Sequence, residues 1–218
     1  MMPRPYIALL LDLDGTLTRV ESLWKHIQES FSAWKQDAEM DQERFASGEI
    51  DYATFCLLDA QRWKGRRVKE LRRVADSVDL RAGAVELRGH LRARGLKVGV
   101  ISTGLTLLAE RVHRELDLDF TIANRLLSRG GRLTGSVKIN VEHGRKDEAV
   151  TLFCGQFGIP AEQVITVGDS AGDISMFRAA GYSVAFNPRE SEVSRSADAV
   201  CVGDSLMDLL PYLPLDPP

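Results

Sequence analysis

The chain has 218 residues, 44% of them hydrophobic and 27% charged, with a formal net charge of −3. That is enough apolar material for one α/β domain with a modest insertion, and the charge balance carries no bias toward nucleic acid or anionic membranes. Three widely spaced cysteines, Cys56, Cys154 and Cys201, include no Cys-x-x-Cys pair. They argue against a disulfide framework or a zinc site and for reduced thiols in a cytoplasmic protein. The short apolar run after Pro3 and Pro5 is not expected to act as a signal peptide, and no stretch is long enough to cross a bilayer.

The first element is that run, Ile7-Ala8-Leu9-Leu10-Leu11, which reads as a strand buried on both faces of a parallel sheet. It ends in Asp12-Leu13-Asp14-Gly15-Thr16, two carboxylates spaced i and i+2 at the strand end where open α/β sheets bind ligands. Residues 20–34 follow as a helix, with Val20, Leu23, Trp24, Ile27, Phe31 and Trp34 on one stripe. Gly48 breaks the chain. Asp51 is suited to cap a second helix to about residue 63. A third helix, 66–78, turns Val68, Leu71, Val74, Ala75 and Val78 inward. The basic run Arg62, Lys64, Arg66, Arg67, Lys69, Arg72, Arg73 reads as its solvated face. No strand pattern occurs between 19 and 80, so these residues are expected to form a helical cap inserted after the first strand.

From residue 82 strands and helices alternate. A helix over 82–94 stops at Gly95, a strand covers 96–102, a helix 105–116 and a short strand 120–123. Arg129-Gly130-Gly131-Arg132 signals a hairpin. A helix over 146–157 leads to a strand at 164–167, a helix at 173–180, strands at 182–186 and 199–202, and a final helix at 206–210. The rhythm predicts a Rossmann-like parallel sheet with right-handed crossovers. The core is assigned to 1–18 and 81–218, the cap to 19–80.

Four βα junctions then carry polar residues: Asp12 and Asp14; Ser102 with Thr103-Gly104; Lys146; and Gly168-Asp169-Ser170-Ala171-Gly172-Asp173. Paired carboxylates repel, and a hard divalent cation such as Mg2+ between them removes the conflict while leaving waters for a phosphate to displace. A carboxylate can also attack phosphorus. Ser102 and the amides after it suit phosphate oxygens, and Lys146 suits charge neutralisation. Singly, each has a plainer reading as a turn residue, helix cap or surface lysine. Their joint appearance in this order carries the signal.

The sequence resembles the haloacid dehalogenase superfamily, in particular its phosphoserine phosphatase-like branch. Asp12-Leu13-Asp14-Gly15-Thr16, Ile101-Ser102, Lys146 and Gly168–Asp173 match the four superfamily motifs in order. Ala123-Asn124-Arg125-Leu126, Leu133-Thr134-Gly135 and Asp173-Ile174-Ser175-Met176-Phe177 point to the branch. The resemblance implies a Mg2+-dependent phosphomonoesterase for a small phosphorylated metabolite. Asp12 would be the nucleophile and form an aspartyl phosphate, and Asp14 the general acid and then base. Ser102, Thr103 and Lys146 would bind phosphate. The metal would be held by Asp12, the Asp14 backbone carbonyl and Asp169, with Asp173 close by. Glu21 corresponds to a cap-side glutamate near the substrate. The cap arginine expected to bind a substrate carboxylate aligns on Asp59, with Arg62 one turn away as its substitute. That departure predicts a best substrate other than phosphoserine. A phosphotransferase or phosphomutase on the same scaffold, or a catalytically idle phosphate-binding regulatory domain, are the alternatives. The intact acid and lysine set weighs against the idle domain. None of the four histidines is expected to act in catalysis; His143 is the one placed near the site.

Overall fold

The computed structural model describes residues 6–31 and 35–215; Pro3, Pro5 and Trp34 lie outside them. Ala8–Leu11 forms strand β1, buried at every residue, as a run without polar alternation requires when both faces of a sheet are covered. Leu9 and Leu11 enter one apolar core, Ala8 and Leu10 the other. β1 lies in the middle of a seven-stranded sheet. It pairs in parallel with β2 (Lys97–Leu105) on one side and β5 (Val164–Gly168) on the other. Beyond β2 come β3 (Phe120–Arg129) and β4 (Arg132–Lys138); beyond β5 come β6 (Tyr182–Phe186) and β7 (Ala199–Cys201). The β3–β4 hairpin is antiparallel and the other pairs are parallel. The order β4-β3-β2-β1-β5-β6-β7 runs outward in both directions from β1, so the sheet's switch point opens at the C-terminal end of that strand. The sheet is the α/β, Rossmann-like architecture expected from the alternating pattern.

The block between β1 and Leu80 holds α1 (Leu23–Ser30), α2 (Lys35–Ala46), α3 (Tyr52–Arg62) and α4 (Val68–Asp76). Ser22 and Asp51 cap α1 and α3, accepting from the amides of Lys25 and Thr54 at 3.4 and 2.7 Å. On α4, Leu71 and Ala75 are buried while Arg67, Lys69, Arg72 and Arg73 face solvent, the separation its periodicity dictates. Trp24 stacks on Trp63 with ring centroids 5.6 Å apart, so both are packing residues. The hairpin reaches back to this block, where the Gly65 amide donates to the Leu133 carbonyl at 2.8 Å. The two chain passages between block and sheet pair with each other at Thr18 and Leu80.

The remaining helices are α5 (Ala84–Ala93), α6 (Thr106–Glu115), α7 (Lys146–Phe157), α8 (Ile174–Ala179) and α9 (Ser191–Ser196). Three elements depart from the expected pattern. The first helix stops at Ser30, and α2 follows where no helix is expected. Strand β3 runs six residues past 123 because β4 supplies it with a partner. Helix α9, with Val193 as its buried residue, falls where a loop is expected. Among the described residues, no helix is long and apolar enough to cross a membrane.

Candidate active site

At the end of β1 the chain enters the turn Leu13–Leu17. Gly15 has φ 92°, and a Cβ at that position would collide with the Asp169 carboxylate. Glycine therefore allows this turn to close against the end of β5. The buried Arg81 side chain fixes the turn from behind, donating to the carbonyls of Gly15 and Thr16 at 2.7 and 2.9 Å. Asp12, Asp169 and Asp173 thereby converge, all buried, with one carboxylate oxygen of each within 4.8 Å of the others. Lys146, the first residue of α7, is 2% exposed and its ammonium donates to both Asp12 and Asp173.

Each acid is held differently. Asp173 accepts from the amides of Asp169 and Ser170 at 3.0 and 2.9 Å, and from the Ser170 hydroxyl. It ties the loop after β5 to Lys146. Asp169 accepts from the Thr16 hydroxyl at 3.3 Å and from Arg189 Nε at 2.6 Å. Burial, then the neighbouring Asp173, pushes the Asp169 carboxyl up to about 6. Burial also drives Asp12 well above the usual carboxylate range, against the pull of Lys146. Burial alone would lower the Lys146 ammonium, but Asp12 and Asp173 outweigh it and raise it. Three clustered carboxylates with oxygen donors alone form a donor set suited to a hard divalent cation.

Asp14 stands apart from that cluster. Its Oδ2 accepts from the Leu23 amide at 2.8 Å, which joins it to the start of α1. Its Oδ1 is buried without a hydrogen-bond partner. Burial lifts this carboxyl to about 6, near the value at which a group both gives and takes protons around neutrality. On the adjacent strand, Ser102 is fully buried and its hydroxyl accepts from the Gly104 amide at 2.9 Å. A Cβ on Gly104 would lie 2.7 Å from Asp14 Oδ2, so the missing side chain lets β2 approach the acid.

Two of the expected site residues also hold the helical block in place. Thr103, expected to bind phosphate, offers its carbonyl to the block. That oxygen accepts from Trp24 Nε1 at 3.1 Å, the Tyr52 hydroxyl at 2.7 Å and Asn124 Nδ2 at 3.0 Å. Helices α1 and α3 are thus seated on the end of β2. Arg62 is expected to stand in for a substrate-binding arginine, but its guanidinium is held by Asp41 and Asp59. Opposite charges that can meet within the block do so instead of facing the site. Glu21, by contrast, lines a cavity of about 160 Å3 between the helical block and the sheet end, together with Trp24, Gln28, Phe55, Asp59 and Arg189. His143 packs edge-on against Phe45 at 5.4 Å. Arg189 and Arg81 carry no motif signal; their roles arise from contacts that the fold creates.

Asp59 adds a stability consequence. It is completely buried, and burial lifts its carboxyl to about 7, only partly offset by Arg62. A carboxyl raised in the folded state binds a proton that the unfolded chain has lost. Stability from this group is therefore complete below about pH 4 and is lost as pH rises through about 7, by on the order of 4 kcal/mol. Asp59→Asn is expected to remove that slope. Its melting temperature relative to wild type should rise between about pH 5 and about pH 8; a difference independent of pH would contradict the assignment.

Fold and site together describe a doubly wound α/β protein with a buried carboxylate and lysine cluster at the sheet's switch point. The chain belongs to the haloacid dehalogenase-like hydrolases, whose family model matches residues 7–181, and falls in their phosphoserine phosphatase-like branch. It is 32% identical over 84% of its length to the phosphoserine phosphatase of Archaeoglobus fulgidus, covering 53% of that protein. It is 30% identical over 93% of its length to that of Idiomarina loihiensis, covering 91%. The chain thus spans about half the length of the first relative and nearly all of the second. A solved structure of a phospho-aspartyl intermediate analogue of phosphoserine phosphatase superposes with a TM-score of 0.84. That match has 26% identity and covers 96% of this chain and 100% of the other.

Proposed function

We propose that the chain is a Mg2+-dependent phosphomonoesterase acting on a small phosphorylated metabolite through an aspartyl phosphate at Asp12. The observation that carries this reading is the convergence of Asp12, Asp169, Asp173 and Lys146 beside a separately held Asp14 with an unpartnered oxygen. The similarity to phosphoserine phosphatases supports the reaction class. Asp12, the Asp14 carbonyl and Asp169 would hold the ion, with Asp173 fixing the loop. Bound there, the ion neutralises the carboxylates and the charge that spreads over the phosphoryl oxygens. Residues 19–80 are the cap and 1–18 with 81–218 the core. The three free thiols support a cytoplasmic setting.

Asp12 attacks phosphorus as the bond to the leaving oxygen breaks, and Asp14 gives that oxygen its proton. Asp14 then takes a proton from the water that attacks the aspartyl phosphate, and Asp12 is released with inorganic phosphate. Lys146, Ser102, Thr103 and the amides around residues 13–15 donate to the phosphoryl oxygens. The carboxyl of Asp14, at about 6, is matched to both proton transfers.

The test is phosphate release with Mg2+ over a panel of small phosphomonoesters, with Asp14→Asn beside wild type. Asp14→Asn is expected to slow esters of aliphatic alcohols by roughly 10²–10⁴-fold. It should slow p-nitrophenyl phosphate much less, because that leaving group needs no proton. Equal losses on both would remove Asp14 from the acid role. Transfer of phosphate to a second alcohol without release would instead favour the phosphotransferase reading.

A further inference from the structure

The basic run of the helical block takes no part in the site at Asp12. Three of its members, Arg67, Lys69 and Arg72, join Arg132 of the β3–β4 hairpin around a cavity of about 580 Å3, which the Gly130-Gly131 turn also lines. Backbone bonds fix the two segments to each other. The Val68 amide donates to the Gly131 carbonyl at 3.0 Å, and the Leu133 amide to the Arg66 carbonyl at 2.9 Å. Arg67 and Arg132 therefore stand opposite each other in an antiparallel bridge. The bonds flank that pair, which is the arrangement that brings facing side chains closest. Like charges directly opposite each other are destabilising. No acid lines the cavity. Glu70, in the first turn of α4, is paired with Arg66 at 3.6 Å. Among the described residues, Arg67, Lys69 and Arg72 have no ion-pair partner, and the Arg132 guanidinium donates to the Gly65 carbonyl at 2.8 Å.

We infer that this cavity is a second ligand site, one for a small polyphosphate, either free or carried on a nucleoside. Four cations held at fixed spacing without a counter-charge repel one another, and an anion of several charges removes that repulsion at all four. A monophosphate carries too little charge to do so; a triphosphate carries enough. Arg67, Arg72 and Arg132 supply guanidiniums, whose planar fork of donors matches pairs of phosphate oxygens. The volume lies within the roughly 300–1,000 Å3 of small-molecule sites. The Gly130-Gly131 turn leaves one wall bare of side chains, so phosphate oxygens can come close to the backbone. The lining holds no aromatic side chain on which a base could stack, which weighs against single-stranded nucleic acid. A polyphosphate seated there touches α4 and the hairpin together and braces the helical block against the sheet.

The experiment is isothermal titration calorimetry of the full chain, without Mg2+, against inorganic triphosphate, ATP and inorganic monophosphate. Wild type is expected to bind triphosphate at least about tenfold more tightly than monophosphate. Lys69→Gln and Arg72→Gln should each weaken triphosphate binding by about tenfold. Arg73→Gln removes the same charge from the same helix but lies outside the cavity lining, and should change binding by less than about twofold. All three side chains are exposed, so the variants keep the fold, and their turnover of p-nitrophenyl phosphate with Mg2+ should equal that of wild type. Phosphate bound at Lys146 is indifferent to these substitutions, so the variants assign the site. Tighter binding of ATP than of triphosphate identifies a nucleotide as the ligand, and the reverse order an inorganic chain; both support the inference. It would be overturned by no binding of either, by equal losses in all three variants, by binding that Lys69→Gln and Arg72→Gln leave untouched, or by a single-stranded oligonucleotide binding more tightly than triphosphate. None of these results bears on the phosphomonoesterase reading.

Discussion

Asp12→Asn is expected to lower phosphate release by roughly ten-thousand-fold or more while leaving the protein folded. A nucleophile forms the bond on which the whole reaction depends, so its removal leaves only the contribution of positioning and charge. Asparagine keeps the shape and the ability to bond Lys146, but its amide oxygen is a poor nucleophile toward phosphorus. The same substitution should cost little stability. Burial already disfavours the charged form of Asp12, and Lys146 retains Asp173 as its partner. The two readouts together are decisive, since a binding-only domain would be indifferent in output and a structural aspartate would change the melt. Phosphate release against thermal melting, each for wild type and variant, separates the three. Activity within about tenfold of wild type would remove Asp12 from the nucleophile's role.

That Asp12 is identifiable at all from sequence has a physical cause. A strand buried on both faces must be apolar throughout, so the first carboxylate after Leu11 marks the strand's end without ambiguity. Lys146 and Asp173 are legible for a related reason, because each opens or precedes a helix at a βα junction. Helix α2 was invisible because its charged residues surround few buried ones, Ala38 and Asp41 among them, so no stripe forms. Arg189 was invisible because its partner lies 20 residues earlier, on the other side of α8 and β6. Nothing local to Asn187-Pro188-Arg189 encodes that distance. The ion pairs that hold Arg62 are hidden in the sequence for the same kind of reason. The acid that claims it, Asp41, sits on the helix the periodicity did not reveal.

The reach of that logic extends to the polar end of β2. Thr103 has the residue type that suits phosphate, yet its carbonyl is the acceptor for a tryptophan, a tyrosine and an asparagine from three other segments. Side-chain chemistry is written in the sequence; the use of a backbone carbonyl is not. The bond from Trp24 ties α1 to the end of β2, and α1 in turn begins with the amide that holds Asp14. The position of α1 and the position of the Asp14 carboxyl are therefore one geometric fact.

Lys146→Met is expected to have the largest effect on stability. Methionine preserves length and apolar volume at a site that is 2% exposed, so the change isolates the charge. Without the ammonium, Asp12 and the fully buried Asp173 face each other with no cation between them. Removing one partner from a buried ion pair costs about 3–5 kcal/mol, because the other charge is left without compensation. Asp12, already raised by burial, can escape part of that cost by taking up a proton, so stability in the variant should be greatest at low pH and fall as pH rises. Urea unfolding at about pH 5 and about pH 8 should show the gap to wild type widening with pH. Turnover should fall as well, by roughly 10²–10³-fold, since in the proposed mechanism the same ammonium donates to the transferred phosphoryl group. A variant that unfolds like wild type at both pH values would mean that the cluster is compensated by something other than Lys146, and would return the lysine to a phosphate-binding role alone.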